Sequence, residues 1–214
     1  MAAGGTSSRA SEWDWILEGD RELVGSLTFV RGASPQQIIE AYGMDPAAAR
    51  LLPAARASEA VRLPVLDETY LVVNPWIRAG RTGEWAFAID EVGPISTYDE
   101  QATVQGLSRG TDVAWFSWTQ TIDYFFYFVD GVEVTSFEPL LAQDRRGSDP
   151  DRFLTEMLQA GLDPGPDTPG VSGPGETQDP RICLLEMLTL ALGIRLPREA
   201  ALGPLLTVQR GRGA

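Results

Sequence analysis

The stretch of the sequence best equipped for chemistry is "FEPLLAQDRRGSDPD", residues 137–151. Two carboxylates beside an arginine clamp are the groups that a carboxylate-based hydrolase or isomerase would use on an acid substrate. The same composition is also typical of a polar loop that leads into a capped helix, and we favour that interpretation. The charged residues concerned are Glu138, Asp144, Arg145, Arg146, Asp149 and Asp151.

Two side-chain types that most enzyme classes need are absent. The chain of 214 residues contains no His and no Lys, so all 17 basic residues are arginines. Without His there is no Ser-His-Asp triad and no imidazole metal ligand, and without Lys there is no Schiff base and no Walker A lysine. Carboxylate chemistry at Glu138, Asp144 or Asp149 is the enzymatic alternative that remains. We therefore expect no catalytic residues, no cofactor and no metal site, and we regard an enzyme as the less favoured class.

The single cysteine and the hydropathy pattern bear on location. Cys183 lies in an apolar run, which favours a buried structural thiol over a reactive one. One cysteine allows no internal disulfide, and no apolar stretch reaches the roughly 18–20 residues that span a bilayer. The start of the sequence has no apolar stretch typical of a signal peptide. Together these features predict a cytoplasmic protein.

The charge balance is strongly acidic, with a formal net charge of −13 and a pI of about 4.4. Such a surface repels phosphate backbones and anionic membranes, so we expect no nucleic-acid partner and no membrane partner. A basic protein partner would instead be attracted, although a solvated acidic face is an equally good interpretation. Two contact surfaces are expected. One is the first predicted helix, with Trp13 as an aromatic anchor, and the other is the set of exposed carboxylates of 138–151, among them Glu138 and Asp144. The acidic residues of the first helix are Glu12, Asp14, Glu18, Asp20 and Glu22.

Aromatic residues are concentrated in one region, since eight of the 19 lie between Trp115 and Phe128. The Asp-Gly pair in "DYFFYFVDGVEVTSF" (123–137) predicts a hairpin with a type I′ turn, in which Val129 faces Val132 and Tyr127 faces Val134.

One face of this hairpin, with Phe125 and Tyr127, is predicted to be core. The other face pairs Phe128 with Glu133 and is amphipathic. We expect the apolar C-terminal helix to cover the aromatic rings, because a helix laid on a sheet satisfies both elements. The alternative is a small-ligand groove around Trp118, Tyr124 and Phe126.

Apolar spacing and turn residues divide the chain into a series of elements. Helices are predicted at 11–30 (one or two), 34–43, from Asp45 onward, at 96–110 with Thr97 and Glu100 as a capping box, and at 148–161, 180–193 and 197–206. Strands are predicted at 68–74, 84–90, 111–118 and on both sides of the Asp-Gly turn, with a loop at 74–83. The implied organisation is a disordered start (1–11), an α+β domain (12–161), a Pro/Gly-rich linker (162–180), a C-terminal helical segment (181–206) and a frayed tail (207–214).

Several motifs resemble those of a known family: "LTFVRGASPQQIIEAYGMDP", "LSRGTDVAWFSW", "DGVEVTSFEPL" with "RRGSDPD", and "LGIRLPREAALGPLL". In this order they are similar to an uncharacterised family of actinobacterial proteins, described only as a domain of unknown function. The resemblance extends from about Trp13 to Leu206. It implies a cytoplasmic protein but carries no assigned activity and no catalytic residues.

The sequence therefore predicts an α+β fold, with N-terminal helices packed on an antiparallel sheet of about four or five strands and C-terminal helices docking back after the linker. The function predicted first is a non-enzymatic acidic protein-interaction module, either an intracellular adaptor or an immunity-type inhibitor. A small-ligand-binding protein that uses the aromatic sheet face and a carboxylate-based hydrolase or isomerase are the alternatives.

Overall fold

The computed structural model describes residues 11–18, 25–60, 76–90, 97–165 and 178–209. These residues form an α+β fold around an eight-stranded antiparallel sheet with the strand order β2-β8-β3-β4-β1-β5-β6-β7. The strands are β1 (Gly25–Arg31), β2 (Arg50–Leu52), β3 (Trp76–Thr82), β4 (Trp85–Asp90), β5 (Asp112–Trp118), β6 (Asp123–Val129), β7 (Val132–Phe137) and β8 (Leu205–Gln209).

Helices lie against this sheet. The α-helices are α1 (Pro35–Ala41), α2 (Ala54–Ala60), α3 (Thr97–Leu107), α4 (Leu154–Ala160), α5 (Pro180–Leu192) and α6 (Arg198–Leu202), and 3-10 helices occur at Asp14–Leu17, Pro46–Ala48 and Pro139–Asp144. The first α-helix has the predicted capping box, because Ser34 accepts from the Gln37 backbone N–H and the Gln37 side chain accepts from the Ser34 backbone N–H. None of the helices in the described part of the chain is long and apolar enough to cross a membrane.

The sheet separates two apolar clusters, and strand alternation assigns residues to them. In β4, Trp85, Phe87 and Ile89 point to one side, which we call the first face, while Ala86 and Ala88 point to the other, the second face. This division confirms the prediction for residues 84–90. The first face is covered mainly by α4, α5 and α6, and the second mainly by α1 and α3.

The hairpin turn is confirmed, but its register differs from the prediction. Asp130 and Gly131 both have positive φ angles, of 47° and 79°, as a type I′ turn requires. Phe128 lies opposite Glu133 as predicted, yet Tyr127 lies opposite Thr135. A β-bulge takes up the extra residue, Val134, whose carbonyl accepts a hydrogen bond from the backbone N–H of Asp149 at 2.9 Å.

That hydrogen bond belongs to a segment, residues 146–149, that covers the outer edge of β7. Arg146 and Ser136 exchange backbone hydrogen bonds of 2.9 Å, and the Ser148 N–H donates to the Glu133 carbonyl at 3.1 Å. We call this segment the strap. It occupies the hydrogen-bonding groups of a strand that would otherwise be an open edge.

Two predictions for the first half of the chain are wrong. The predicted helices at 11–30 are replaced by the 3-10 helix Asp14–Leu17 and by β1, where Leu27 and Phe29 face one side and Ser26 and Thr28 the other. The predicted loop at 74–83 contains β3. Gly80 is needed within it, because an added Cβ would come within 2.8 Å of Phe87 Cζ.

Further differences concern element ends and sheet size. The helix predicted from Asp45 is the short Pro46–Ala48 turn followed by β2, and the helix predicted at 148–161 begins only at Leu154. Residues 205–209 form β8 between β2 and β3, where we expected the end of a helical segment and the start of a frayed tail. The sheet is therefore larger than the predicted four or five strands. The predicted strand 68–74 and most of the predicted linker lie outside the described residues.

Candidate functional site

The predicted aromatic anchor, Trp13, is not available at the surface. Its side chain is fully buried and packs edge-on against Phe29, with ring centroids 6.3 Å apart. Its Nε1 donates to Thr189 Oγ1 at 3.0 Å. Trp13 is therefore a core residue that attaches the first described segment to α5, and its predicted role as an exposed anchor is wrong.

The carboxylates of the same segment are largely matched by arginines from the far end of the chain. Glu12 pairs with Arg195 at 3.1 Å, and Glu18 pairs with Arg198 at 2.9 Å. Asp14 is exposed and accepts a hydrogen bond from the Ser11 backbone. This surface is thus less negative than the sequence suggested. Asp20 and Glu22 lie outside the described residues.

The three residues of the predicted aromatic groove do not lie together. Trp118 is buried on the first face and stacks on Phe116, with centroids 5.1 Å apart. Tyr124 and Phe126 lie half-buried on the second face. The reason is register: Ser117, not Trp118, is the β5 residue opposite Tyr124. The predicted groove around these three residues is therefore wrong.

The second face instead carries a continuous row of rings. Phe126 is stacked on Phe128 at 5.8 Å and on Trp115 at 5.4 Å, and Tyr124 lies 6.3 Å from Phe126. We call these four residues the aromatic ladder. Phe128 and Trp115 are buried in the cluster formed with α1 and α3, whereas the C-terminal helix α5 packs on the first face. The prediction that the C-terminal helix covers the aromatic rings therefore holds for the first face of β6 and is wrong for the second.

The carboxylates of 138–151 lie along an irregular surface segment. Asp144 and Asp149 are exposed, and Glu138 is partly exposed. Partial burial, with a smaller contribution from Asp123, raises the pKa of Glu138. Asp151 is paired with Arg145 at 2.8 Å. These positions are suited to contacts at a surface rather than to acid and base catalysis in a cleft.

Arg145 fixes the conformation of this segment. Its guanidinium donates to the carbonyl oxygens of Ala142 at 2.7 Å and Pro164 at 2.8 Å. Two further N–H groups donate to Asp151 Oδ1 at 3.1 and 2.8 Å. Only 12% of the Arg145 side chain is exposed. One side chain thus joins three separate parts of the chain.

The segment held in this way presents two apolar side chains to solvent. Leu140 is 67% exposed and Leu141 is 43% exposed, while Pro139 and Ala142 on either side of them are buried. We call residues 138–144 the leucine loop. Exposed leucines on a rigid turn between two carboxylates are a feature that the sequence analysis missed, although "EPLLAQD" shows the apolar pair beside a proline.

A buried polar cluster on the second face was also missed. Glu100 of α3 is 7% exposed, and its Oε1 accepts hydrogen bonds from Ser26 Oγ at 2.8 Å and Tyr42 OH at 3.2 Å. Tyr42 OH is also hydrogen-bonded to Thr28 Oγ1 at 2.7 Å, with Thr28 as the donor because the Tyr42 hydroxyl proton is donated to Glu100. Glu100 was assigned to a capping box, but its carboxylate points into the protein. The polar residues Ser26 and Thr28, which alternate with apolar ones in β1, were the available signal.

The environment of Glu100 favours its protonated form. Burial, with a smaller contribution from the nearby Asp90, raises the pKa of Glu100 to about 7, although hydrogen bonds from Ser26 and Tyr42 oppose the shift. Trp115 Nε1 approaches this carboxylate from β5. Neither that nitrogen nor Glu100 Oε2 completes a hydrogen bond within the described residues.

Other reactive groups are inert or absent where the structure describes the chain. Cys183 is buried, as expected, and burial raises its pKa to about 11. The described ranges hold no group of three or more Cys, Asp or Glu side chains placed to bind a metal ion.

A comparison with models of protein families shows which family the chain belongs to. A family model with the description "Family of unknown function (DUF6461)" matches residues 6–200. The chain belongs to the DUF6461 family. This membership confirms the resemblance to a domain of unknown function. No curated protein and no solved structure matches the DUF6461 chain, so its function is argued from its own geometry.

Proposed function

We propose that the DUF6461 chain is a non-enzymatic protein-interaction module, an intracellular adaptor or an immunity-type inhibitor, that contacts a basic protein partner through the leucine loop. The observation that carries this proposal is the exposure of Leu140 and Leu141 on a turn that Arg145 holds in place.

Burial of the two leucines would supply the favourable free energy of association. Removing one leucine side chain from water contributes about 1.5–3 kcal/mol. Leu140 and Leu141 still expose much of their surface, so most of that contribution is available to a partner. Because Arg145 orders the loop before binding, little conformational entropy is lost on association.

Electrostatic attraction would increase the rate of association and would favour a basic partner over other proteins. The net charge of −13 attracts a cationic surface over long range. Glu138 and Asp144 flank the two leucines, so a matching site on the partner would be an apolar pocket rimmed by arginine or lysine. An apolar centre with a charged rim is the usual composition of a specific interface.

The enzymatic alternative gains no support from the positions of its residues. The Glu138, Asp144 and Asp149 side chains lie on an exposed segment, whereas the carboxylate with the most perturbed pKa, Glu100, lies beneath α3. The small-ligand alternative keeps one favourable observation, the partial exposure of Tyr124 and Phe126 in the aromatic ladder. We rank it second.

We also propose a cytoplasmic and actinobacterial setting for this module. One cysteine among 214 residues is compatible with a reducing compartment, and a basic set made only of arginine, with abundant alanine and glycine, agrees with a high-GC genome.

Site-specific photo-crosslinking in the native host tests the proposal. A photoreactive amino acid replaces Leu140 in one variant and Leu190 in another. Leu190 is the matched control because it is also exposed, at 52%, but lies on α5. We expect a discrete crosslinked product with a basic protein from the Leu140 position only. The same product from both positions, or none from Leu140, would contradict the proposed contact surface.

A further inference from the structure

The two halves of α3 are attached to the protein in different ways. At its C-terminal end, Gln105 Nε2 donates to the Gly131 carbonyl at 2.8 Å, and the Gly131 N–H donates to Ser108 Oγ at 2.9 Å. The Gly110 N–H donates to Asp130 Oδ1 at 2.8 Å. These hydrogen bonds fix the end of α3 to the β6–β7 turn.

The N-terminal half of α3 is held by a titratable group. The Glu100 carboxylate accepts hydrogen bonds from Ser26 of β1 and from Tyr42 after α1. Val104, one helical turn later, is fully buried in the second-face cluster. Glu100 and Val104 therefore dock this half of the helix, the first through a polar contact and the second through an apolar one.

Among the described residues, the groups around Glu100 supply no positive charge to pair with its carboxylate. Asp90 approaches from β4 and carries the same charge, and Tyr42 approaches from α1. Ser26 and Thr28 of β1 and Trp115 of β5 are uncharged donors. No arginine forms an ion pair with Glu100 in the part of the chain that the structure describes. An ionised carboxylate that is buried without a cation is costly, so either it takes up a proton or its surroundings open to water.

We propose that Glu100 is a proton-operated latch, which docks the N-terminal half of α3 on the second face when protonated and releases it when ionised. Release opens the second face beside Trp115 and Phe126, while the hydrogen bonds at the β6–β7 turn keep the other end of α3 in place. The latch is thus a means by which pH controls access to the aromatic ladder.

The direction of the effect follows from linkage. The pKa of Glu100 is about 7 in the docked state and takes its ordinary value of 4.5 once water reaches the carboxylate. The docked state therefore binds more protons between these two values. The equilibrium constant for docking of the helix therefore falls as pH rises through this window, by up to about tenfold per pH unit. Above pH 7 it no longer changes with pH.

Amide hydrogen exchange of the full chain tests the latch. Protection factors, corrected for the intrinsic pH dependence of exchange, are measured from about pH 5 to about pH 8. For residues 97–103 we expect protection to fall by at least tenfold across this range and then to level off, while protection of α5 stays constant. Equal protection of residues 97–103 at all pH values would overturn the proposal.

Variants separate the latch from general pH effects. Glu100→Gln keeps the shape of the side chain without its charge and should make protection of 97–103 independent of pH. Glu138→Gln, at a partly exposed carboxyl whose pKa is also raised, should leave the wild-type dependence unchanged. Retention of the full pH dependence in Glu100→Gln would contradict the proposal.

A wild-type measurement covers the case in which Glu100→Gln does not fold. The Glu100 carboxyl carbon is followed by NMR in the full chain, and its titration midpoint should lie well above 4.5 and coincide with the change in protection. Asp90→Asn removes the nearby like charge. It should therefore move the titration midpoint of Glu100 and the midpoint of the change in protection to lower pH. A midpoint near the ordinary carboxyl value would overturn the proposal.

Discussion

At the scale of single residues, three tryptophan N–H groups hold the end of α5 and the chain that follows it. Trp13 donates to Thr189, Trp15 donates to the Leu196 carbonyl at 2.9 Å, and Trp85 donates to the Leu192 carbonyl at 3.3 Å. Each indole also fills space in the first-face cluster. A buried indole that satisfies its N–H contributes through both packing and hydrogen bonding.

The role of Trp13 as a core residue leads to a prediction about stability. Trp13→Ala should lower the free energy of unfolding by about 3–5 kcal/mol, because it leaves a large cavity and a hydroxyl without its donor. Its neighbour Asp14 is exposed, so Asp14→Ala should change stability by less than about 0.5 kcal/mol. Denaturant unfolding of both variants measures the difference. Similar stabilities would show that Trp13 is a surface residue after all.

The residue scale is also where sequence reasoning was weakest for the candidate site. Trp13 was selected as an interface anchor and Trp118 as part of a ligand groove, yet both are buried. Residue type alone does not distinguish a core tryptophan from an exposed one. The role of Glu100 was predicted wrongly for a related reason. A Thr-x-x-Glu spacing marks the start of a helix, but it does not show where the carboxylate points.

At the scale of elements, the success of prediction depended on how local the signal was. The Asp-Gly turn, the alternation in β4 and the helix α5 with its closing Gly193 depend on neighbouring residues, and all three are present. The strands β1 and β8 pair with strands far away in the sequence, and both were missed. The strand β3 was missed as well, although one of its two partners is the adjacent β4. In β3 and β8, polar and apolar residues do not alternate regularly, and in β1 the alternation covers only residues 26–29, so the pairing of these strands must come from the assembled sheet.

The strap over β7 leads to a prediction at this scale. Gly147 has a φ angle of 115°, and an added Cβ would contact the Val134 carbonyl and lie 3.0 Å from Thr135 Cα. Gly147→Ala should therefore cost about 1–3 kcal/mol and release the edge of β7.

Gly106 is the matched control, because it lies in α3 with open space around its Cα. Gly106→Ala should stabilise the protein by about 0.5–1 kcal/mol. Unfolding curves for both variants, with hydrogen exchange of the β7 amides, measure the effects. If Gly147→Ala is as stable as the wild type and its β7 amides stay protected, the strap is not needed to cover this edge.

At the scale of the whole molecule, some of the acidic surface residues form ion pairs with arginines of the same chain. The ion pairs Glu12–Arg195 and Glu18–Arg198 join the first and last described parts of the chain. Exposed pairs of this kind contribute little to stability, about 0–1 kcal/mol each. Their main consequence is that two of the three carboxylates described in residues 11–18 are paired with arginines, so this segment is less negative than its sequence suggests.

The leucine loop and the latch are independent proposals on different parts of the sheet. The loop follows β7 at one edge, whereas Glu100 lies over β1 near the middle. A pH effect on α3 without any partner at Leu140 would support the latch and leave the interaction module without support. A crosslink at Leu140, in a protein whose α3 shows no pH effect, would support the interaction module and leave the latch without support.

The most direct test of the interaction module is the kinetics of association with the protein that crosslinks at position 140. The wild type, the double variant Leu140→Ala/Leu141→Ala and the control Leu190→Ala are compared at low and high ionic strength. We expect the double variant to dissociate at least about tenfold faster, since truncated apolar contacts act mainly on the off-rate. The control should match the wild type, and salt should slow association of all three alike. Unchanged dissociation of the double variant, or association that does not respond to salt, would contradict the account.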